Sequence, residues 1–387
     1  MDIPQLPFNR RAAAINRSIE EATNTALRVW DTVLGRTGFG GRAAHYDDVH
    51  YEFIGGPSDV LRKKHYDKSL RLLWKAEPVL PWASFRDASD VERQAHERAI
   101  FDLADKNMTG EEREARTRIQ SEEFRALLDR SYTPEQKRAV VSVLAAIGHG
   151  EAYAWLVSAS LMNEVKSTGA RAALTMQIVE EAKHFVVMRE LVQAFGVPVP
   201  RQSAWEYLML ERTLKAKGLD RFFGMNVLVE TIALSIFGLL STHPGLEVLR
   251  LFHLDESRHT ALPANYFKEF PMAERDAMSR RRQLTRMSMA LPALPLVMYL
   301  EPELAVLGID AFDFAGSVMR KTFHLSVRSG FLDQRLAKRQ SEAFNRLLNL
   351  YCKATRPGHQ FKDFMSADTT QGEKERAVER DIYGAAA

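Results

Sequence analysis

Glu180-Glu181-Ala182-Lys183-His184 and, further along the chain, Asp255-Glu256-Ser257-Arg258-His259 read almost as copies of each other. Each runs acid, glutamate, any residue, base, histidine, so each offers a carboxylate and an imidazole three residues apart on one face of a helix. With 11 histidines in 387 residues, one Glu-x-x-His is close to what chance supplies, whereas two copies with matching flanks are not. Carboxylate oxygen together with imidazole nitrogen suits iron or manganese better than calcium or a thiolate zinc site. The duplication points to a two-metal centre carried on helices.

Helix signals surround both copies. Thr133-Pro134-Glu135-Gln136 is a capping box with proline at the first helical position, and it opens a helix reaching about Val165. After a break at Lys166 to Gly169, a second helix covers about Ala170 to Phe195 and stops at Gly196 and Pro198. A crossover containing Pro200 and Trp205 leads to a third helix, about Arg221 to Leu240. Ser241-Thr242-His243-Pro244-Gly245 breaks it, and a fourth runs from about Leu246 to Phe267, with a kink expected at Pro263.

Distances from the turns supply partners for the two motifs. Glu151 precedes the first break and Glu181 follows it by about fifteen residues each, so a helical hairpin sets them at one level. Glu230 and Glu256 flank the second break by about thirteen residues each. The neighbours of the lone glutamates are apolar: Leu144, Ile147, Gly148, Ala154 and Trp155 around Glu151, and Phe223, Val227, Ala233, Leu234 and Phe237 around Glu230. Unpaired carboxylates on such faces cost several kcal/mol each, so four of them in one core require cations.

The rest of the chain sets limits. It is 45% hydrophobic and 27% charged, with 53 basic and 50 acidic residues, a net charge of +3 and the basic residues dispersed among acids, which gives no support for nucleic-acid binding. A single cysteine, Cys352, excludes an internal disulfide and a Cys-rich zinc site and fits a reducing cytoplasm. The start Met1-Asp2-Ile3-Pro4 lacks the marks of a signal peptide, and the longest apolar stretch, Met287 to Leu300, is too short to span a bilayer and carries Pro292 and Pro295; no membrane segment is expected. Three regions follow: residues 1–130 as a helical and loop extension packing on a bundle, 131–357 as the bundle with extra C-terminal helices, and 358–387 as a polar tail. Strand alternation is scarce, and the fold class expected is all-α.

With these residues in hand, the segment Ser131 to Phe267 resembles the ferritin-like di-iron oxygenase superfamily, whose bundles take a glutamate from each of two helices and Glu-x-x-His from each of the other two. The resemblance implies a four-helix bundle with additional N- and C-terminal helices, and ligand and catalytic roles for Glu151, Glu181, His184, Glu230, Glu256 and His259. It also implies that Asp255 orients His184 and Glu180 orients His259. Leu73-Trp74-Lys75-Ala76-Glu77-Pro78-Val79-Leu80-Pro81-Trp82 is similar to the tryptophan-containing arm of several oxygenase branches. Some arylamine N-oxygenases of the superfamily carry an extra ligand histidine one turn before the last metal glutamate. His253 is counted here as a candidate for that role, although its spacing of three rather than four sets it on the other flank of the helix. His45, Asp47, Asp48 and His50 form a second, loop-borne candidate cluster, for which a solvated loop is the simpler reading.

A pair of iron ions, or manganese at one position, would deliver electrons to O2 as co-substrate, with the protein supplying position and a dry pocket. Gly148, Ala154 and Ala233 leave room for a small organic substrate, and Phe185, Phe223, Phe237 and Phe252 are candidates for its walls, or for plain core packing. The radical-bearing small subunit of ribonucleotide reductase would place a tyrosine where this chain has Met188, and acyl-carrier-protein desaturases have longer connections between ligand helices. The resemblance therefore implies oxygenase or oxidase activity on a small metabolite, N-oxygenation of an amine first and hydroxylation or desaturation of an acyl or amino-acid substrate next. A non-enzymatic iron-handling protein and a helical scaffold with a vestigial metal site are the other classes. An unidentified electron donor and homodimerisation follow from the resemblance alone.

Overall fold

The computed structural model describes residues 3–37, 119, 121–166, 168–273 and 277–383. Every regular element among them is a helix, so the fold is all-α. α1 (Arg10–Thr37) and α2 (Glu122–Ser131) precede a hairpin of α3 (Pro134–Leu161) and α4 (Thr168–Ala194). α5 (Ala204–Lys215) leads to a helical run of one α turn (Asp220–Phe222), a π segment (Phe223–Val229) and α6 (Glu230–Leu240). That run pairs with α7 (Leu249–Glu269) as a second hairpin. α8 (Arg280–Ala290), α9 (Ala293–Val306), α10 (Ala311–Arg328), α11 (Gln334–Thr355) and α12 (Thr370–Tyr383) follow.

The local signals act as their chemistry requires. Thr133 Oγ1 accepts from Gln136 N at 3.2 Å and Gln136 Oε1 accepts from Thr133 N at 2.9 Å, which satisfies two otherwise orphaned amides at the start of α3. Gly196, at φ 66°, turns the chain out of α4 in a conformation that L side chains rarely adopt. The crossover is more ordered than its prolines indicate. Ser203 and Glu206 form a second capping box and start α5, which packs against α3 and α9.

α3 and α4 bury Leu144, Met188 and Leu191 against Phe237, Leu240 and Phe252 of the second hairpin, each side chain contributing about 1.5–3 kcal/mol by leaving water. α1 lies on α9 and α5: Asn16 Nδ2 donates to Met298 O at 3.0 Å, and Glu20 Oε1 accepts from Ala204 N at 2.6 Å. The stretch expected as one interrupted apolar run divides into α8 and α9, with Pro292 as the N-cap of α9 and Pro295 in its first turn, where a missing amide hydrogen costs nothing. The region read as a polar tail contains α12, anchored by an ion pair of 3.1 Å between Glu375 Oε2 and Lys321 Nζ. The arm Leu73 to Trp82 and the group His45, Asp47, Asp48 and His50 lie outside the described residues.

By length and composition three helical runs could each cross a bilayer: Pro134–Leu161, Asp220–Leu240 and Arg280–Val306. Counting uninterrupted apolar residues misses them because isolated polar side chains punctuate each. In the fold 89% of the most apolar window of the second run is buried inside the molecule, and 67% and 50% for the other two.

One close approach and one buried thiol give tests of this packing. A Cβ on Gly316 of α10 would stand 2.0 Å from the carbonyl oxygen of Phe364, a backbone atom that no rotamer change moves. Gly316→Ala is expected to lower stability by about 3 kcal/mol in urea denaturation; a loss under about 0.5 kcal/mol would mean that α10 and the 361–366 segment do not meet this way. Cys352 is buried among Phe312, Leu348 and Phe364, and burial pushes its thiol up to about 12. It should therefore resist a thiol reagent at pH 8 in the folded chain and react once the chain is unfolded.

Candidate metal centre

The four helices α3, α4, α6 and α7 bring the six predicted ligand residues to one place, each 0–3% exposed. They form two overlapping groups, Glu151, Glu181, His184 and Glu256, and Glu181, Glu230, Glu256 and His259. Within each group the ligand atoms lie within 4.8 Å of one another. Glu181 and Glu256 belong to both groups, so the lone glutamates and the histidines are terminal and the two motif glutamates are shared.

The histidines define the two positions. His184 Nδ1 lies 3.1 Å from Glu256 Oε1, 3.4 Å from Glu151 Oε2 and 3.6 Å from Glu181 Oε2. His259 Nδ1 lies 3.1 Å from both Glu181 Oε1 and Glu256 Oε2 and 3.8 Å from Glu230 Oε2. The other ring nitrogens face acids, as expected: His184 Nε2 is 3.0 Å from Asp255 Oδ2 and His259 Nε2 is 2.8 Å from Glu180 Oε2. A proton held on Nε2 by these acids leaves the Nδ1 lone pair for a cation. Phe252 stacks on the His184 ring at 4.2 Å between centroids, and Phe237 meets it edge-on at 6.4 Å.

The cross-pairing accounts for the whole five-residue motif. Each motif's acid reaches the other motif's histidine, and the bases balance the acids: Lys183 Nζ donates to Asp255 Oδ2 at 2.9 Å, and Arg258 Nη2 to Glu180 Oε1 at 2.6 Å and Asp255 Oδ1 at 2.5 Å. The repeated base in the sequence is thus the counter-charge of an orienting acid on the facing helix.

Sequence reasoning missed an amide network beneath the cluster. Gln177 Nε2 donates to Glu181 Oε1 at 3.2 Å and to Glu230 Oε1 at 3.1 Å. Asn226 Nδ2 donates to Gln177 Oε1 and to the carbonyl of His259, each at 3.0 Å. That carbonyl is the one Pro263 cannot serve, four residues on and without an N–H, so the side chain of Asn226 stands in for the absent helical bond. A signal was present: each amide precedes a ligand glutamate by four residues, Gln177 before Glu181 and Asn226 before Glu230. The π segment ending at Val229, followed by Glu230, whose N–H bonds to Met225 O, was not legible and shifts the face on which Phe223 and Val227 lie.

Burial and the neighbouring charges move the groups of the cluster in opposite directions. Burial pushes Glu151 and Glu230 well above the usual carboxylate range, and for Glu230 the charges of Glu181 and Glu256 add to this. Burial acts the same way on Glu181, but His259 and His184 outweigh it and hold that carboxyl well below the range. Both histidines are raised well above 6.5: burial opposes this, and Asp255 and the cluster glutamates for His184, and Glu181, Glu256 and Glu180 for His259, overcome it. The buried carboxylates thus favour positive charge on the two histidines. Glu181 Oε2, Glu256 Oε1 and His184 Nδ1 are buried without a well-formed hydrogen bond, although the ring nitrogen stands 3.6 Å and 3.1 Å from the two oxygens, and all three belong to the first group. Two bound cations would satisfy those atoms, and the oxygen and nitrogen donor set fits iron or manganese. Loading is expected to release about two to four protons near pH 6.5 and to tighten as pH rises; calorimetry in buffers of different ionisation enthalpy would count them, and zero release would contradict this charge state.

His253 lies in neither group. Its Nδ1 is 2.9 Å from Leu234 O, and the ring packs against Gly238 of α6, because a spacing of three places it on the flank of α7 that faces α6. Burial lowers its pKa to about 4, with Lys321 adding to the effect and the Leu234 carbonyl opposing it. A histidine neutral when folded and protonated when unfolded costs stability as pH falls from about 6.5 to about 4, on the order of 3 kcal/mol in full. His253→Gln should flatten that part of the pH profile of the metal-free chain, and an unchanged slope would show that other groups cause it.

Beside Glu151 and Glu230 opens an apolar pocket. Its walls come from α3, α5, α6, α9, α10 and α11, with Ile147, Ala154, Ala233, Leu296, Leu300 and Val318 among them. Ala154 and Ala233 line it as expected, but the glycine on its wall is Gly150 rather than Gly148: a Cβ there would meet nothing within 4 Å. Phe185, Phe223, Phe237 and Phe252 pack in the core instead, and the aromatic walls are Phe314 and Phe344. Trp155, read as sharing the face of Glu151, is 40% exposed. Searches for a matching family model, a curated protein and a solved structure returned no match to this chain.

Proposed function

We propose that this protein is a ferritin-like, non-haem di-iron oxygenase that uses O2 to oxidise a small, largely apolar metabolite. The observation that carries the reading is the pair of overlapping four-residue groups sharing Glu181 and Glu256, with one terminal ligand of each group, Glu151 and Glu230, on the wall of the same aliphatic pocket. Glu151, Glu181, His184 and Glu256 would hold one ion and Glu181, Glu230, Glu256 and His259 the other. The ions, when bound, would supply the electrons that activate O2.

The chain's own residues do the rest. Asp255 and Glu180 fix the ring orientation and the Nε2 proton of the two histidines. Gln177 holds one oxygen each of Glu181 and Glu230 in place. The aliphatic walls exclude water from the reacting end of the substrate and leave room for it beside Gly150. Such a pocket favours an enzyme over an iron-handling protein, which needs no cavity for an organic molecule. N-oxygenation of an amine leads, with hydroxylation or desaturation next, and the electron donor is a separate partner.

The test is an oxygen-consumption screen of the iron-loaded chain against arylamines, fatty acids and amino acids, with products read by mass. Gain of one oxygen is the expected result, and loss of two hydrogens would move the reading to desaturation. Fewer than about one iron per chain after anaerobic ferrous loading would sink it.

A further inference from the structure

The pocket has one acidic side chain that the metal centre does not use. Glu206 of α5 is buried, lines the pocket and lies in a wall that also includes Met209 and Leu210. Its polar contacts are Gln202 Nε2 at 3.4 Å and His149 Nδ1 at 3.3 Å from Oε1, and Ser203 N at 3.4 Å from Oε2, and the buried Glu20 lies close enough for the two acids to repel each other. It also sits in the first turn of α5, where the helix end favours negative charge. A carboxylate offers about four acceptor sites, and three long contacts leave at least one for a further donor. Burial raises the pKa of Glu206, and His149, Ser203 and Gln202 pull it back.

The remaining pocket lining, among the described residues, is apolar apart from Glu151 and Glu230 and contains no lysine, arginine or histidine. An anionic head group would find no counter-charge there and would meet the Glu206 carboxylate. We infer that Glu206 anchors the substrate's polar end, and that the pocket selects a small apolar molecule bearing a hydrogen-bond donor, an amine or hydroxyl, and no carboxylate. The opposite, oxidisable end then points to Glu151 and Glu230, a clause that rests on the oxygenase reading.

The test is isothermal titration of the metal-free chain with 4-aminobenzyl alcohol and 4-aminobenzoate, which differ only in the group distal to the amine. The alcohol is expected to bind about tenfold or more tightly than the acid. Glu206→Gln keeps the capping role of position 206 and should shrink the preference to below about threefold. Gly150→Leu, which directs a side chain into the open space, should abolish binding of both. Equal or tighter binding of the acid to the unmodified chain would overturn the inference, as would an unchanged preference in Glu206→Gln, retained binding in Gly150→Leu, or no binding of the alcohol below about 10 mM. The comparison in the unmodified chain stands even if a variant fails to fold. Because these titrations use neither metal nor oxygen, failure of the oxidation screen leaves their outcome intact, and their failure leaves the metal centre intact.

Discussion

Glu181→Ala is expected to bring the metal content from about two ions per chain to below about 0.2 after anaerobic ferrous loading, whereas Glu230→Ala should retain about one. The difference follows from sharing. Glu181 Oε1 lies 3.1 Å from His259 Nδ1 and Glu181 Oε2 lies 3.6 Å from His184 Nδ1, so its two oxygens face two positions, while Glu230 serves one. A ligand that binds only the folded chain stabilises it by about 2.7 kcal/mol at a hundredfold excess over its Kd. The iron-dependent rise in melting temperature should therefore vanish in Glu181→Ala and persist in part in Glu230→Ala, with helicity kept in both. Elemental analysis beside circular dichroism checks this. One ion retained in Glu181→Ala would show that its carboxylate serves a single position.

Asp255→Asn should weaken metal binding ten- to a hundredfold without touching a ligand. Asp255 is 1% exposed and accepts from His184 Nε2, Lys183 Nζ and Arg258 Nη2. Asparagine keeps the shape and one acceptor but loses the charge, leaving the partly buried Lys183 and Arg258 under-compensated at a cost of about 2–3 kcal/mol. The pH dependence has a definite sign in the metal-free chain. Burial alone would raise the Asp255 carboxyl, but Lys183, His184 and Arg258 outweigh it and hold it far below the usual range. A carboxyl depressed in the folded state stabilises above its unfolded pKa of about 3.9, and that stabilisation is lost as pH falls through the folded value. The stability gap between native and variant should be full above about pH 5 and narrow in stronger acid. A gap independent of pH would mean that the substitution acts through packing alone.

Much of the centre was legible because helices translate spacing into geometry. A spacing of three from Glu181 to His184, and equal distances of Glu151 and Glu181 from a turn, set face and height before any tertiary contact is known. The acids at 180 and 255 were legible as orienting groups only through family resemblance, and their bases were not assigned a role. His253 separated from the ligand set for a reason the sequence already held: three residues before Glu256 is the wrong flank. Ser203-Ala204-Trp205-Glu206 was a readable helix start that the nearby prolines hid.

By itself the sequence determined the all-α class, the four site-bearing helices and the identity of six clustered donors, because periodicity, caps and repeated spacing are properties of one helix or one hairpin. Only the tertiary structure decided that Glu181 and Glu256 face both positions, that Gln177 and Asn226 support them, and that Glu151, Glu230 and Glu206 share one pocket. Those facts depend on how a helix is rotated against neighbours distant in sequence, and the π segment before Glu230 resets that rotation. Pocket walls from α9 and α10 meet α3 only when the core closes, so no local spacing records them.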